Sequence, residues 1–136
     1  MKIRALSVQQ PFATWIAVGL KQIERRSWPS KHRGPLLICA SRREDREAMN
    51  LAYPDGAPRG ADNYPLGVAL AIVYMNDCRP MIEADEHAAA VPAKDGHWAW
   101  VFAPHPARVK PFHVTGYPGI FEVEVPSSVL NESCGV

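Results

Sequence analysis

Only three cysteines, Cys39, Cys78 and Cys134, occur in 136 residues, far apart and in no Cys-x-x-Cys arrangement. An odd number so spaced builds neither a disulfide framework nor a cysteine-rich zinc site, and the usage fits a reducing, cytoplasmic compartment. The five histidines (His32, His87, His97, His105, His113) show no metal-ligand spacing, so no metal or other cofactor is expected. Long apolar runs are missing too. The strongest, residues 67–75, falls well short of the roughly 20 residues of a membrane helix. The start Met1-Lys2-Ile3-Arg4, running into Gln9-Gln10, is too polar for a signal peptide, so no membrane partner is expected. No Gly-x-x-x-x-Gly-Lys, Gly-x-Gly-x-x-Gly or Gly-x-Ser-x-Gly string is present, which removes support for nucleotide hydrolysis, dinucleotide binding and lipase-type chemistry. Internal repeats and low-complexity tracts are absent.

What remains is an ordinary globular composition, 47% hydrophobic and 21% charged, at the length of one domain. We expect a single domain over residues 1–126 and a loose tail over 127–136. The net charge of +1 conceals an asymmetry. Residues 1–46 carry ten Lys/Arg and three Asp/Glu, a net +7, and residues 47–136 carry five and eleven, a net −6. Two readings fit: a local basic patch that attracts a phosphate-bearing ligand, or two halves that neutralise each other in the fold.

Thirteen prolines, spread throughout, punctuate short elements and rule out a long-helix architecture. Residues 2–8 read as a strand. Pro11 suits a helix start, and residues 11–18 place Phe12, Trp15 and Ile16 on one apolar face before Gly19 ends the helix. Residues 20–28 read as extended, with Glu24, Arg26 and Trp28 on one face. Residues 36–40 form a buried strand. Ser41-x-x-Glu44 has the form of a capping box, predicting a helix from Ser41 to about Ala52, followed by a loop over residues 54–65. Residues 66–74 are the strongest strand, residues 81–90 a short helix, and 97–103, 109–115 and 120–125 further strands. About six strands and two or three short helices in this order indicate an α+β fold, a small mixed β-barrel with helices over its openings.

The segment 7–28 carries the candidate chemistry. It reads Ser7-x-x-Gln10-Pro11-x-Ala13-x-x-Ile16-x-x-Gly19-x-Lys21-x-x-Glu24-x-Arg26-x-Trp28. Lys21 is a point charge with three donors, and Arg26 a planar fork suited to phosphate or a base edge. Glu24 between them can orient both or accept a proton, and Trp28 offers a stacking surface. The competing reading is an ion network that only ties the strand to its neighbours. Trp28 is equally a core lid, and Trp15 reads as core. Ser41 is a helix cap or a phosphate seat. Arg42, Arg43 and Arg46, placed in the first turns of the predicted helix, oppose its macrodipole, which points to a ligand or acidic neighbour there or else to a solvated face.

This string resembles the opening motif of the ASCH domain, named for homology to the activating signal cointegrator. Later blocks are similar to the family in the same order: Arg33-Gly34-Pro35-Leu36-Leu37-Ile38-Cys39-Ala40-Ser41, then Gly67-Val68-Ala69-Leu70-Ala71-Ile72-Val73, then Trp98-Ala99-Trp100-Val101-Phe102, with Pro111 and residues 116–121 after it. The resemblance implies a PUA-like β-barrel whose Gly-x-Lys-x-x-Glu-x-Arg segment lines a cleft between the first helix and the barrel. It implies nucleic-acid binding, and in some branches hydrolysis of N4-acetylcytidine or of RNA. In the amidohydrolase branch the active site is a Lys, a Thr and a Glu. Lys21 falls at that lysine and Glu24 at the threonine, which puts hydrolysis by that route in doubt, and that branch's glutamate falls on no one residue of this chain.

The expectation is therefore a cleft that binds RNA, other single-stranded nucleic acid or a modified nucleoside through Gln10, Lys21, Glu24, Arg26, Trp28, Ser41, Arg42 and Arg43. The enzymatic alternative, a nucleoside amidohydrolase or ribonuclease, would use Lys21 and Glu24 as catalytic residues. A third option is a cleft that grips an acidic peptide.

Overall fold

Ten elements alternate along the chain in the computed structural model, which describes residues 1–52 and 63–129. They are β1 (Lys2–Gln10), α1 (Phe12–Ala17), β2 (Ile23–Arg26), β3 (Gly34–Glu44), α2 (Arg46–Ala52), β4 (Ala69–Pro80), α3 (Glu86–Ala89), β5 (Trp98–Phe102), β6 (Ala107–Arg108) and β7 (Ile120–Glu124). The architecture is α+β, with seven strands where about six were expected. The strands form one curled, barrel-like sheet in the order β2-β5-β4-β3-β1-β7, with β6 beside β4. β1 and β3 run parallel and the other neighbours antiparallel.

The central strands are apolar on both faces, which is why they read as continuous hydrophobic runs. Leu6 and Val8 of β1, Leu36, Ile38 and Ala40 of β3, Val73 and Met75 of β4, and Trp100 and Phe102 of β5 converge inside the curl. α1 closes one end of that core with Ala13, Ile16 and Ala17. The opposite faces of the same strands, through Ile3, Ala5, Leu37 and Cys39, pack under the chain that follows β6 and under Val129, in a helical turn over residues 127–129. A third cluster, Ile23, Met81, Ala89 and Ala99, seats α3 against β2 and β5.

Several local expectations are corrected. α1 buries Ala13, Ile16 and Ala17 in the core, a rotation of about one residue from the expected Phe12, Trp15 and Ile16 stripe, with Phe12 partly buried against the core. Trp15 is left half-buried, its indole N–H donating to the Tyr64 hydroxyl at 3.3 Å. No helix starts at Ser41. β3 runs on to Glu44, opposite Gln10 of β1, and the Asp45 N–H donates to the Gln10 carbonyl at 2.7 Å. Helix α2 begins after Asp45, whose carboxylate accepts the Ala48 N–H at 2.9 Å, so the cap is Asp45 and the Ser41–Glu44 pairing is not used. Residues 109–115 do not form a strand. They follow the start of β4 through single bonds, Ala69 N–H to the Phe112 carbonyl and Val114 N–H to the Gly67 carbonyl, interrupted at Pro111, which has no N–H to give. The helix predicted over 81–90 is a 3-10 turn (Glu83–Asp85) followed by α3. Most of the expected loop over 54–65, and residues 130–136 of the expected tail, lie outside the described residues.

Candidate functional site

Where the curled sheet fails to close, no ladder joins β2 to β1 or β7. A side chain bridges the gap instead: the Arg26 guanidinium on β2 donates to the Ser7 carbonyl on β1 at 2.7 Å. A cavity of about 550 Å3 opens along this seam, lined by residues 7–9 of β1, residues 24–28 and residues 41–43, with Phe12, Lys21, Val91 and His97.

Lys21 reaches it because of the way α1 ends. Gly19 takes φ +86°, the left-handed conformation glycine tolerates, and the Leu20 and Lys21 N–H groups both donate to the Trp15 carbonyl. The chain thereby drops Lys21 beneath the helix end, where it is only 2% exposed. Its ammonium donates to the Ala89 carbonyl, lies 3.5 Å from Glu24 Oε1 and sits 5.1 Å from the centre of the Phe12 ring. Burial holds its pKa below the ordinary value, while Glu24 acts in the opposite direction. Glu24 is pinned from its other side: Arg26 Nε donates to Oε2 at 2.9 Å, and the second guanidinium nitrogen lies 2.8 Å from the same oxygen. Lysine, carboxylate and guanidinium therefore form one continuous chain at the wall of an open hollow.

Ser41, Arg42 and Arg43 arrive by a different route. Val8 stands opposite Ala40 and Gln10 opposite Glu44, so β3 carries two residues more than β1 over this stretch and bulges. Such bulges re-aim side chains near sites. Ser41 Oγ holds this one, donating to the Arg43 carbonyl at 2.6 Å and accepting its N–H at 3.2 Å. Arg42 and Arg43 line the cavity and form no ion pair with a described residue. Because they stand on a strand, the macrodipole conflict expected for them does not arise. The bonds Met1 to Glu124 and Arg33 to Asp77, both at the surface, are the ion pairs among the described residues that join the basic third to the acidic remainder. The cations around the cavity are thus not consumed by the described acidic residues after residue 46.

Trp28 packs on the core and also borders the cavity. It stands edge-on to the buried Trp100, ring centres 4.6 Å apart, and its carbonyl accepts the Trp100 indole N–H at 3.1 Å. It remains half-buried and lines the cavity. Gln10 does not line it: fully buried, its amide donates to Thr14 Oγ1 and the Pro65 carbonyl and accepts the Thr14 N–H. It fixes α1 to β1.

Eight described lining residues escaped the sequence reading, and Arg25, His97, Ser7 and Phe12 bear on the chemistry of the cavity. Arg25 was assigned to the opposite strand face, but β2 is a short edge strand, and Arg25 curls toward the cavity while donating to the Pro92 carbonyl at 2.6 Å. His97 carried no signal beyond its position before the Trp98-x-Trp100 alternation. Its Nδ1 is buried without a hydrogen-bond partner among the described residues, and burial, with Arg25 and Lys94 nearby, lowers its pKa. Ser7 belongs to the opening motif and Phe12 to one of its unspecified positions, and neither was assigned to the site. Among the described residues no group of three His, Cys, Asp or Glu side chains is placed to hold a metal ion, and no helix is long and apolar enough to cross a membrane. Cys39, its thiol pushed up to about 12 by burial, takes no part in the cavity.

A small α+β domain whose open seam holds a cationic hollow is the class that fold and cavity define. The family model of the ASCH domain matches residues 6–128, and the chain belongs to that family. Activating signal cointegrator 1 of Homo sapiens and of Mus musculus are each 29% identical to it over 127 residues, which cover 88% of this chain. The chain spans 22% of the length of those curated relatives. The crystal structure of ASCH from Zymomonas mobilis superposes with a TM-score of 0.58 at 12% identity, covering 98% of this chain and 94% of that one. A mutant of the same protein superposes with a TM-score of 0.55 at 11% identity, covering 98% and 96%. These structures share the fold, and family membership supports a nucleic-acid-binding or hydrolase-like role in general.

Proposed function

We propose that the seam cavity binds RNA or a modified nucleotide. The observation that carries this reading is the charge of the lining: among the described residues, Lys21, Arg25, Arg26, Arg42 and Arg43 against the single carboxylate of Glu24. Arg42 and Arg43, exposed and without an ion pair to a described residue, take the phosphate. Lys21, Glu24 and Arg26, locked to one another and to backbone carbonyls, present fixed donors and acceptors to a base edge. Trp28 supplies a stacking wall. With few cations the affinity is modest and falls as salt rises.

A second reading, a hydrolase acting on modified nucleosides or RNA, is favoured by one feature: an ammonium whose pKa burial lowers, so that it gives up its proton more readily than an exposed lysine, beside a carboxylate that can orient it. Lys21 would then be the base or electrostatic stabiliser. Glu24, held on both oxygens, is better placed to orient Lys21 than to shuttle protons freely.

A screen of modified nucleosides and short RNAs for binding and turnover separates the two. Salt-dependent binding without turnover, weakened in Arg42→Ala, supports the binding module. Turnover abolished in both Lys21→Ala and Glu24→Ala supports the hydrolase. Neither response would refute the nucleic-acid reading altogether.

A further inference from the structure

We infer that the ligand is a strand longer than one nucleotide, whose next phosphate sits in a second cationic hollow on the far side of Trp28. This rests on the nucleic-acid reading of the seam cavity. The second hollow encloses about 530 Å3 and is lined by Arg4, Trp28, Ser30, Lys31, His32 and Arg33, with Ile120 at its edge. Trp28 is the one described residue that lines both hollows, so it stands between them. Both lie along the same seam: the first where β1 ends, the second where β1 begins beside β7.

The chemistry of the second hollow is one-sided, since no carboxylate of a described residue lines it. Asp77, 3.9 Å from Arg33, and Glu122, opposite Arg4 in the β1–β7 register, flank it from outside. His32 and Arg33 are engaged with backbone, His32 Nε2 with the Pro35 carbonyl and Arg33 with the Ser30 and His32 carbonyls, and they act as walls. Arg4 and Lys31 are exposed and form no ion pair with a described residue. Arg4 is also out of pattern. By strand alternation it shares the face on which Leu6 and Val8 enter the core, yet it carries a charge at the mouth of the curl. An aromatic platform with free cations on either side is what a single strand requires: one base on the ring, and a phosphate to each side.

The test compares two probes on the whole chain, a mixture of the four nucleoside 5′-monophosphates and a mixed-sequence pentaribonucleotide. Each is titrated into the wild type and into an Arg4→Ala, Lys31→Ala double variant at several salt concentrations. The pentaribonucleotide binds the wild type about tenfold or more tighter than the monophosphates. The double variant loses that advantage, and its log-affinity against log-salt slope falls by about 0.7, the share of the one phosphate no longer held. Monophosphate binding stays within about twofold, which also shows that the exposed substitutions leave the fold intact. Monophosphates and pentaribonucleotide binding equally, or an equal loss of both in the variant, overturns the second subsite alone. Binding of neither probe by the wild type overturns it together with the reading on which it rests.

Discussion

Replacing Lys21 by methionine should cost the fold little, while replacing its partner Glu24 by glutamine should cost more. The two ends of one ion pair are not equivalent because their surroundings differ. Methionine keeps the length of the lysine stem and removes an ammonium that the fold has withdrawn from water. It forfeits the bond to the Ala89 carbonyl, ~1–3 kcal/mol if that acceptor is left unsatisfied, and the contact with Phe12, ~0.5–2 kcal/mol. Against this stands the desolvation penalty of a buried cation, several kcal/mol, which disappears. Glu24 is not stranded, since Arg26 still donates to it. The net change for Lys21→Met is within about 2 kcal/mol of zero. Glu24→Gln leaves Lys21 and Arg26 facing each other without a counter-charge. Removing one partner of a buried pair costs about 3–5 kcal/mol, reduced here to about 2–4 because Arg26 is 24% exposed. Urea denaturation of the three proteins at neutral pH measures both. The pH dependence adds a second signature. Because the folded state holds Lys21 below its ordinary value of 10.5, it releases that proton before the unfolded chain does. Between the two values the unfolded state binds more protons, so this group's contribution to stability rises with pH across that window. Lys21→Met lacks that rise. A loss above about 4 kcal/mol in Lys21→Met, no loss in Glu24→Gln, or an alkaline rise that survives in Lys21→Met would refute this account of the pair.

Three further outcomes follow from other parts of the molecule. Arg42→Ala with Arg43→Ala leaves urea stability within about 0.5 kcal/mol and lowers the salt slope of RNA binding by about 0.7 per cation, read by fluorescence anisotropy. Asp85 accepts two bonds from Arg79, at 2.7 and 2.8 Å, and the Ile82 N–H at 3.0 Å, which anchors the turn that presents Ala89 to Lys21. Arg79 pulls the Asp85 pKa below its ordinary 3.8, so Asp85→Asn costs ~1–2 kcal/mol at neutral pH, and in denaturation series the difference from wild type shrinks as pH falls through the depressed value. Gly116 passes so close to Ser7 that a Cβ there would lie 2.4 Å from Ser7 Oγ. Gly116→Ala should cost ~1–3 kcal/mol alone and clearly less on a Ser7→Ala background, and a double-mutant cycle showing no coupling would exclude that contact as the cause.

The central strands were legible because each is apolar on both faces, and the first helix because Pro11 and Gly19 bracket it. The Lys21, Glu24 and Arg26 cluster could be read because three chemistry-bearing residues fall within a span of six, just after a glycine that ends a helix. What was not legible depended on contacts between distant segments. Ser41-x-x-Glu44 satisfies a helix-start pattern locally, but pairing with Gln10 keeps it in the sheet and turns it into the bulge that delivers Arg42 and Arg43. Phe12, Trp15 and Ile16 fit a helical stripe, yet the small Ala13 and Ala17 allow closer packing on the sheet, so the helix turns that face inward. Arg25 and His97 have no local signature at all. They reach the cavity through the position of an edge strand and of the chain entering β5.

Backbone and indole chemical-shift mapping during titration with a short RNA tests most directly whether the seam is where the ligand sits. The account predicts that the Trp28 indole N–H and the amides of Ser7, Lys21, Arg26 and Ser41 move together and saturate at one affinity. Shifts confined instead to the separate groove bounded by Trp15, Glu47 and Leu51, with the seam residues unmoved, would contradict it.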